Sequence, residues 1–330
     1  DLVAGIEGVE FIVLEKPNSP LDYWRFKRKM ASRTFDVLCA AQASFRANFL
    51  YACIKAKRKI GYDTVRARDG HRWFINESIR PGRDHTLEGF LKFAEGLGQP
   101  SDVRLGASEQ AEGVSSPSIT DGERAGNHVE HSRAQSVVWN LPINAEAEAW
   151  VAAQTFGPRP WLIVNAAASK SERTWLLDRY ITVIRETHAR FGGTVILVGG
   201  PGELDRQLAD GIRAECSFCI DIVGRTRLPQ LLSLIRHADV VLCPDTGPSH
   251  MAAAVGTPVV ALHAVTSAQV SGPYPFLDLV VDYYPEAIQH YLNKNMQTVE
   301  WTTQVHGNET MRLVPVEPVL EKLFSVLSAK

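Results

Sequence analysis

The segment Pro244-Asp-Thr-Gly-Pro-Ser-His-Met-Ala-Ala-Ala-Val-Gly-Thr-Pro258 holds the residues of this chain whose types and spacing could do chemistry. Asp239-Val-Val-Leu-Cys243 before it and Pro258-Val-Val-Ala-Leu262 after it are short apolar, β-branched runs, so the segment reads as strand, turn, helix and strand. Thr246 and Gly247 fall where the strand releases the chain, and Ser249 and His250 where the helix begins. Free N–H groups and the positive end of a helix dipole make such a start a site for an anion such as a diphosphate. The same residues also suit an ordinary helix start, with Asp245 or Ser249 as N-cap and His250 as an incidental polar side chain.

Elements that would position this turn recur at regular spacing. Trp161–Asn165, Gly193–Gly200, Cys219–Gly224, the Asp239 run and the Pro258 run alternate with amphipathic stretches near 176–191, 203–215, 228–237 and 248–255. Alternation of this kind predicts a parallel sheet covered by helices on both faces. Ligands of such sheets bind beyond the carboxyl ends of the strands. The polar residues expected at those ends are Asn165, Ser169, Lys170 and Arg173, then Glu203, then Arg225 and Thr226, then the Asp245 segment.

Four motifs in order resemble glycosyltransferase family 9, the lipopolysaccharide heptosyltransferases. They are Asn165-Ala-Ala-Ala-Ser-Lys-Ser-Glu-Arg-Thr-Trp175, Gly199-Gly-Pro-Gly-Glu203, Gly224-Arg-Thr226 and Asp245-Thr-Gly-Pro-Ser-His-Met-Ala-Ala-Ala254. All four lie within the half from Trp161 to Pro275, which resembles the family's donor-binding domain. Upstream, Phe35-Asp-Val-Leu-Cys-Ala-Ala-Gln42, Arg46 and Arg58-Lys-Ile-Gly-Tyr-Asp63 are similar to the acceptor-side domain. The fold implied is α/β, of the GT-B type with two Rossmann-like domains and parallel sheets. The chain departs from the family at three places. It opens at Asp1-Leu-Val-Ala-Gly5, so the first βα unit of the N-terminal domain is expected to be missing, together with the loop that carries the family's general base. Asn165-Ala-Ala-Ala stands for the usual Asn-x-Gly-Ala, and Ala264-Val-Thr-Ser267 for Gly-Pro-Thr-Asp.

The resemblance implies transfer of a heptose from ADP-heptose to an anionic lipopolysaccharide-core acceptor, Kdo-lipid A or an inner-core heptose, with inversion at the anomeric carbon. Breaking the anomeric bond builds negative charge on the departing diphosphate, which a preorganised clamp must hold. Arg173 takes the family's basic position, Lys170 lies close by, and the amides around Thr246 and Gly247 complete the clamp. A solvated surface charge is the competing assignment for both cations. Arg173 and Asp245 are thus the expected catalytic residues. Asn165, Ser169, Lys170, Glu203, Arg225, Thr226, Thr246, Gly247 and His250 are the expected donor-binding residues. Among them Glu203 would meet the nucleoside ribose, although an acid favoured at a helix start accounts for it as well. Asp245 and His250 would orient sugar or phosphate, and residues 224–226 would present backbone to the base. No Asp-x-Asp pair occurs in the sequence, and a hard cation wants several carboxylate oxygens together. Transfer is therefore expected to need neither metal nor cofactor.

Composition fits this picture without specifying it. The net charge of −2 over 330 residues excludes a strongly polyionic chain. The charge is uneven, because residues 21–84 carry fifteen Lys and Arg against six Asp and Glu. Such a basic region suits an anionic lipid-sugar through long-range attraction, or is simply a set of solvated helix faces. No aromatic stacking pattern accompanies the charges, which argues against nucleic acid. No run of eighteen apolar residues exists. Five cysteines, an odd number, argue for a reducing compartment. Cys216-Ser-Phe-Cys219 stands without a second pair and reads as buried thiols at a strand start. The expected location is cytoplasmic, with peripheral contact at the cytoplasmic face of the inner membrane.

The domain organisation expected is an acceptor-side domain over 1–105, a flexible insertion or linker over 106–136, a donor-binding domain over 137–315, and a C-terminal helix over 316–330 packing back on the N-terminal domain. Residues 106–136 are rich in Ser, Gly, Glu and Ala without apolar periodicity. Two other functions fit the same pattern: a different GT-B nucleotide-sugar enzyme, which would share the clamp, and a protein that binds a nucleotide-sugar without turning it over.

Overall fold

Apolar runs of five residues, each followed by an amphipathic helix that returns the chain, build the larger part of this fold. The structure, a computed structural model, describes residues 2, 3, 6, 8–98, 139 and 141–329; the expected linker over 106–136 lies outside the described residues. The chain divides into two units, one over 5–102 and the other over 1–4 and 103–330.

In the unit over 5–102, α1 (Pro20–Met30), β1 (Phe35–Ala40), α2 (Phe45–Ala52), β2 (Ala56–Gly61), β3 (Glu77–Ser78) and α3 (Thr86–Gly96) follow in order. The three strands are parallel in the order β1-β2-β3. Ser19 and Asp22 form a reciprocal capping box at the start of α1, with Pro20 in its first turn. The long connection from β2 to β3 is tied down by polar side chains. Asp63, 2% exposed, accepts from Arg66 at 2.7 Å and from the Val65 amide at 2.7 Å. Arg66 also donates to Asp84 at 2.7 Å, and Lys92 pairs with the same carboxylate. Asn48 and His71, both buried, bond at 2.7 Å and seat the tip of the connection on α2.

The second unit begins with α4 (Ala145–Ala152) and continues as β4 (Trp161–Asn165), α5 (Leu177–Phe191), β5 (Thr194–Val198), α6 (Glu203–Glu215), β6 (Ile220–Asp221), α7 (Leu228–His237), β7 (Val240–Pro244), α8 (Gly247–Val255) and β8 (Val259–His263). It closes with α9 (Ala268–Ser271), β9 (Val281–Asp282), α10 (Tyr284–Leu292) and α11 (Val316–Ser328). All six strands are parallel, in the order β6-β5-β4-β7-β8-β9. The order reverses between β4 and β7, and at such a switch point the loops leave in opposite directions and open a crevice.

Alternation within each strand feeds two cores. Leu162, Val164, Val195 and Leu197 face α5, α6 and α11, and Ile163, Ile196 and Val241 face α7 and α8. Truncating one such side chain, for example Ile163, which is fully buried, removes about 2–5 kcal/mol. The turn from α5 into β5 needs glycine: Gly193 has φ +75°, and a Cβ there would lie 2.2 Å from the Pro160 carbonyl oxygen.

The C-terminal helix joins the core of the second unit. Val319, Leu323 and Leu327 of α11 are buried in the same core as Tyr180, Ile184 and Val195 of the second unit, and Phe324 meets Phe191 edge-on at 5.4 Å. A stripe at helical spacing thus buries itself against α5.

Candidate functional site

Asn165 ends β4 at the switch point. Its side chain, 4% exposed, donates to the Ala167 carbonyl at 2.7 Å and reaches Thr246 Oγ1 at 3.5 Å, which ties the end of β4 to the start of α8. Small buried residues, Ala166 to Ala168, carry the chain into a single 3-10 turn over Ser171–Arg173. Two bonds hold that turn in place. The Ala168 amide donates to Thr174 Oγ1 at 3.2 Å, and the Trp175 indole N–H donates to the Val314 carbonyl at 2.9 Å. Trp175 is 1% exposed and packs edge-on against Tyr180 at 5.0 Å, so Arg173 sits two residues from a fixed anchor.

Arg173 Nη1 lies 3.3 Å from Asp245 Oδ2, and Thr266 Oγ1 donates to that same oxygen at 2.7 Å. The two charged side chains are largely buried, at 18% and 10% exposure. Arg173 Nε is buried and meets no partner among the described residues. Behind Thr266, His263 Nδ1 stands 3.2 Å from the Thr266 carbonyl. The ends of β4, β7 and β8 therefore meet in one cluster: Asn165 from the first, Asp245 and Thr246 from the second, Thr266 from the third.

Thr246 is the N-cap of α8, in extended conformation at φ −146°, and its side chain caps nothing. Neither Asp245 nor Ser249 takes the capping role. Asp245 is engaged by Arg173 and Thr266, and the Ser249 hydroxyl and amide both donate to the Thr246 carbonyl, at 2.7 and 3.1 Å. Pro248 has no N–H to offer. A Cβ at Gly247 would meet nothing within 4 Å, so the backbone there fronts open space. Such an opening, at the positive end of a nine-residue helix, is where an anion can approach. His250 follows on the exposed side of the helix; atoms crowded around its ring lower its pKa, and the Asp245 charge partly offsets that, leaving a neutral imidazole at pH 7.

The remaining sequence-predicted residues flank this cluster. Ser169 and Lys170 are exposed on the loop after β4. The Lys170 ammonium donates to Gln304 at 3.3 Å and lies 4.0 Å from Glu172, whose carboxylate also binds His306 at 3.0 Å. Lys170 thus belongs to a bridge onto the 304–306 segment and is not paired within the Arg173 cluster. Glu203 opens α6 after β5, exposed, with Gln207 donating to it at 2.9 Å. Arg225 and Thr226 follow β6 on a loop whose geometry depends on Gly224, at φ +73°, with its amide on the Gly199 carbonyl at 3.0 Å. Among the described residues, none of these three side chains hydrogen-bonds to the Arg173–Asp245 pair.

The sequence marks Thr266 only as part of the altered run Ala264–Ser267 and gives it no role, and it does not single out His263. Their signal was position: 264–267 follows β8 as Asp245 follows β7, and adjacent parallel strands release their loops on one edge. Cys216 and Cys219 are buried free thiols, and burial pushes the Cys219 thiol up to about 12. Among the described residues no group of three or more His, Cys, Asp or Glu could hold a metal ion, and no helix is long and apolar enough to cross a membrane.

A parallel sheet whose order reverses beside a helix start, with an arginine at that point, defines a Rossmann-like α/β fold. A sequence profile of glycosyltransferase family 9 (heptosyltransferase) matches residues 23–301, and the chain belongs to that family. It is 30% identical over 324 residues to the lipopolysaccharide core heptosyltransferase OpsX of Haemophilus influenzae, covering 98% of this chain and 84% of that protein. Among solved structures, a glycosyl transferase of family 9 from Veillonella parvula superposes with a TM-score of 0.62 at 16% identity, covering 97% of this chain and 82% of that one. The Escherichia coli heptosyltransferase WaaC with ADP gives 0.60 at 14% identity, covering 93% and 77%. The fold is accordingly GT-B, and the chain is a glycosyltransferase of the heptosyltransferase kind.

Proposed function

We propose that this protein transfers a heptose from ADP-heptose to a lipopolysaccharide-core acceptor, Kdo-lipid A or an inner-core heptose, by an inverting displacement that needs no metal. The observation that carries the proposal is the convergence of Arg173, Asp245 and the Gly247 helix start on the switch point between β4 and β7.

Arg173 would stabilise the charge that grows on the diphosphate as the anomeric bond breaks. Its guanidinium, held at Nη1 by Asp245 and 18% exposed as a side chain, would offer its remaining N–H donors to that charge. The amide of Gly247 adds a dipole that is already in place before reaction. Asp245 holds Arg173 in position and, with the neutral His250, would orient the sugar. Asn165 and Thr246 would fix the loop edges. Ser169, Lys170, Glu203, Arg225 and Thr226, at neighbouring strand ends, would line the path of the nucleoside and outer phosphate. Inversion follows from one in-line attack by an acceptor hydroxyl, with its proton passing to a base outside this cluster, whose carboxylate, Asp245, serves as the counter-ion of Arg173. The cationic and amide donors supply the neutralisation that metal-dependent transferases obtain from a divalent ion, and no Asp-x-Asp is present to hold one. The protein would meet its acceptor at the cytoplasmic face of the inner membrane.

The test is transfer in EDTA: ADP-heptose and a heptose-free core acceptor should give a product heavier by one heptosyl unit, with the opposite anomeric configuration by NMR. Retained configuration, or activity only with added Mg2+ or Mn2+, would overturn the mechanism. Transfer from a UDP-sugar in preference to ADP-heptose would overturn the donor assignment.

A further inference from the structure

Asp245 receives two donors on one oxygen. Arg173 comes from the loop after β4, Thr266 from the loop after β8, and both meet Oδ2, at 3.3 and 2.7 Å. The carboxylate torsion of an aspartate is soft and roughly two-fold, so a single donor leaves it free to swing. Two donors from separate loops fix it. They also leave Oδ1 as the oxygen with acceptor capacity to spare.

The Thr266 hydroxyl is itself held. It is 6% exposed, and its carbonyl lies 3.2 Å from Nδ1 of His263, a residue 1% exposed at the end of β8. A carbonyl can only accept, so this contact places the imidazole proton on Nδ1. The hydroxyl proton of Thr266 is then directed to Asp245, and the short 2.7 Å separation is that of a charge-assisted bond.

We infer that Thr266 is a positioning residue for the donor site: it locks the Asp245 carboxylate with Oδ2 on Arg173 and Oδ1 free to accept a hydroxyl of the donor sugar. This rests on the donor-site assignment above. Thr266 need not touch the ligand; it acts through Asp245 and, through Asp245, on Arg173.

The test is a double-mutant cycle in the intact protein, read by kcat/KM for ADP-heptose and, independently of transfer, by ADP affinity in calorimetry. Thr266→Val keeps the shape and removes the donor; it should lower kcat/KM about 10-fold or more, the scale of a lost bond to a charged group. Thr266→Ser restores the hydroxyl and should recover activity to within about 3-fold, which a purely packing role would not produce. In an Asp245→Ala background, Thr266→Val should cost less than about 3-fold, because its partner is already gone. Equal losses in both backgrounds, or T266V within about 2-fold of the unaltered protein, would overturn the inference while leaving the function intact. Failure of the unaltered protein both to bind ADP and to transfer would overturn the donor-site assignment itself, and this inference with it. Thermal melts of each variant separate these outcomes from unfolding.

Discussion

Arg173 and Asp245 stand 72 positions apart in sequence and 3.3 Å apart in space, joined across the point where the sheet reverses its strand order. The pair is mostly shielded from water, at 18% and 10% exposure. Removing one partner of such a pair leaves the other charge uncompensated, and most of the loss comes from that exposed debt of desolvation.

Asp245→Ala should therefore act on both stability and function. About 2–4 kcal/mol of unfolding free energy should be lost, since Arg173 is left with its Nε already unpaired among the described residues. Urea unfolding followed by circular dichroism measures the first effect, and transfer kinetics the second. A variant as stable as the unaltered protein would show that the pair is solvated in solution.

Gly247→Ala separates the two effects. Its Cβ would find nothing within 4 Å, and its backbone is that of an ordinary helix start, so the melting temperature should stay within about 1 °C. A diphosphate approaching the amide would meet the new methyl, so ADP affinity should fall about 10-fold. Unchanged affinity in calorimetry would place the anion elsewhere.

His71 makes the unit over 5–102 sensitive to acid. Its buried ring bonds Asn48 Oδ1 through Nδ1 and accepts the Tyr62 amide on Nε2 at 3.1 Å, an arrangement only the neutral imidazole satisfies. Burial lowers its pKa below the usual 6.5. The unfolded chain then binds the proton more readily, so stability from this group is complete above about pH 6.5 and is lost as pH falls through the folded value. Amide exchange at 60–63 should quicken between pH 7 and 5, beyond the intrinsic pH effect, and His71→Gln should flatten that excess. An excess that persists in the variant would assign the sensitivity to another group.

Much of the second unit was legible because its signals are local. β4, β5, β7 and β8 are five-residue, largely apolar runs, and α5, α6 and α7 between them each show a one-sided stripe, so order and type follow from short windows. The Asp245 segment was legible for the same reason: turn, proline and small residues mark a helix start. Thr266 was not, because its role depends on which strand lies beside β7, and strand order is a property of the whole sheet. The Lys170 contact with Gln304, 134 residues away, and the burial of α11 against α5 were hidden likewise, since a side chain's partner is set by packing that no window contains. Glu203 illustrates the remaining gap: its place after β5 was readable, and its exposed bond to Gln207 fits both a helix-start acid and a ligand-facing one.

Arg173 and the α8 start would together hold the diphosphate of an ADP-linked donor. Calorimetric titration with ADP and ADP-heptose in EDTA, with UDP-sugars as competitors and Arg173→Ala as the altered protein, tests it most directly. ADP-selective binding that survives EDTA and weakens about 100-fold in the variant is expected, the roughly 3 kcal/mol of one preorganised donor. Binding that is unchanged in Arg173→Ala, or that follows UDP-sugars instead, would contradict it.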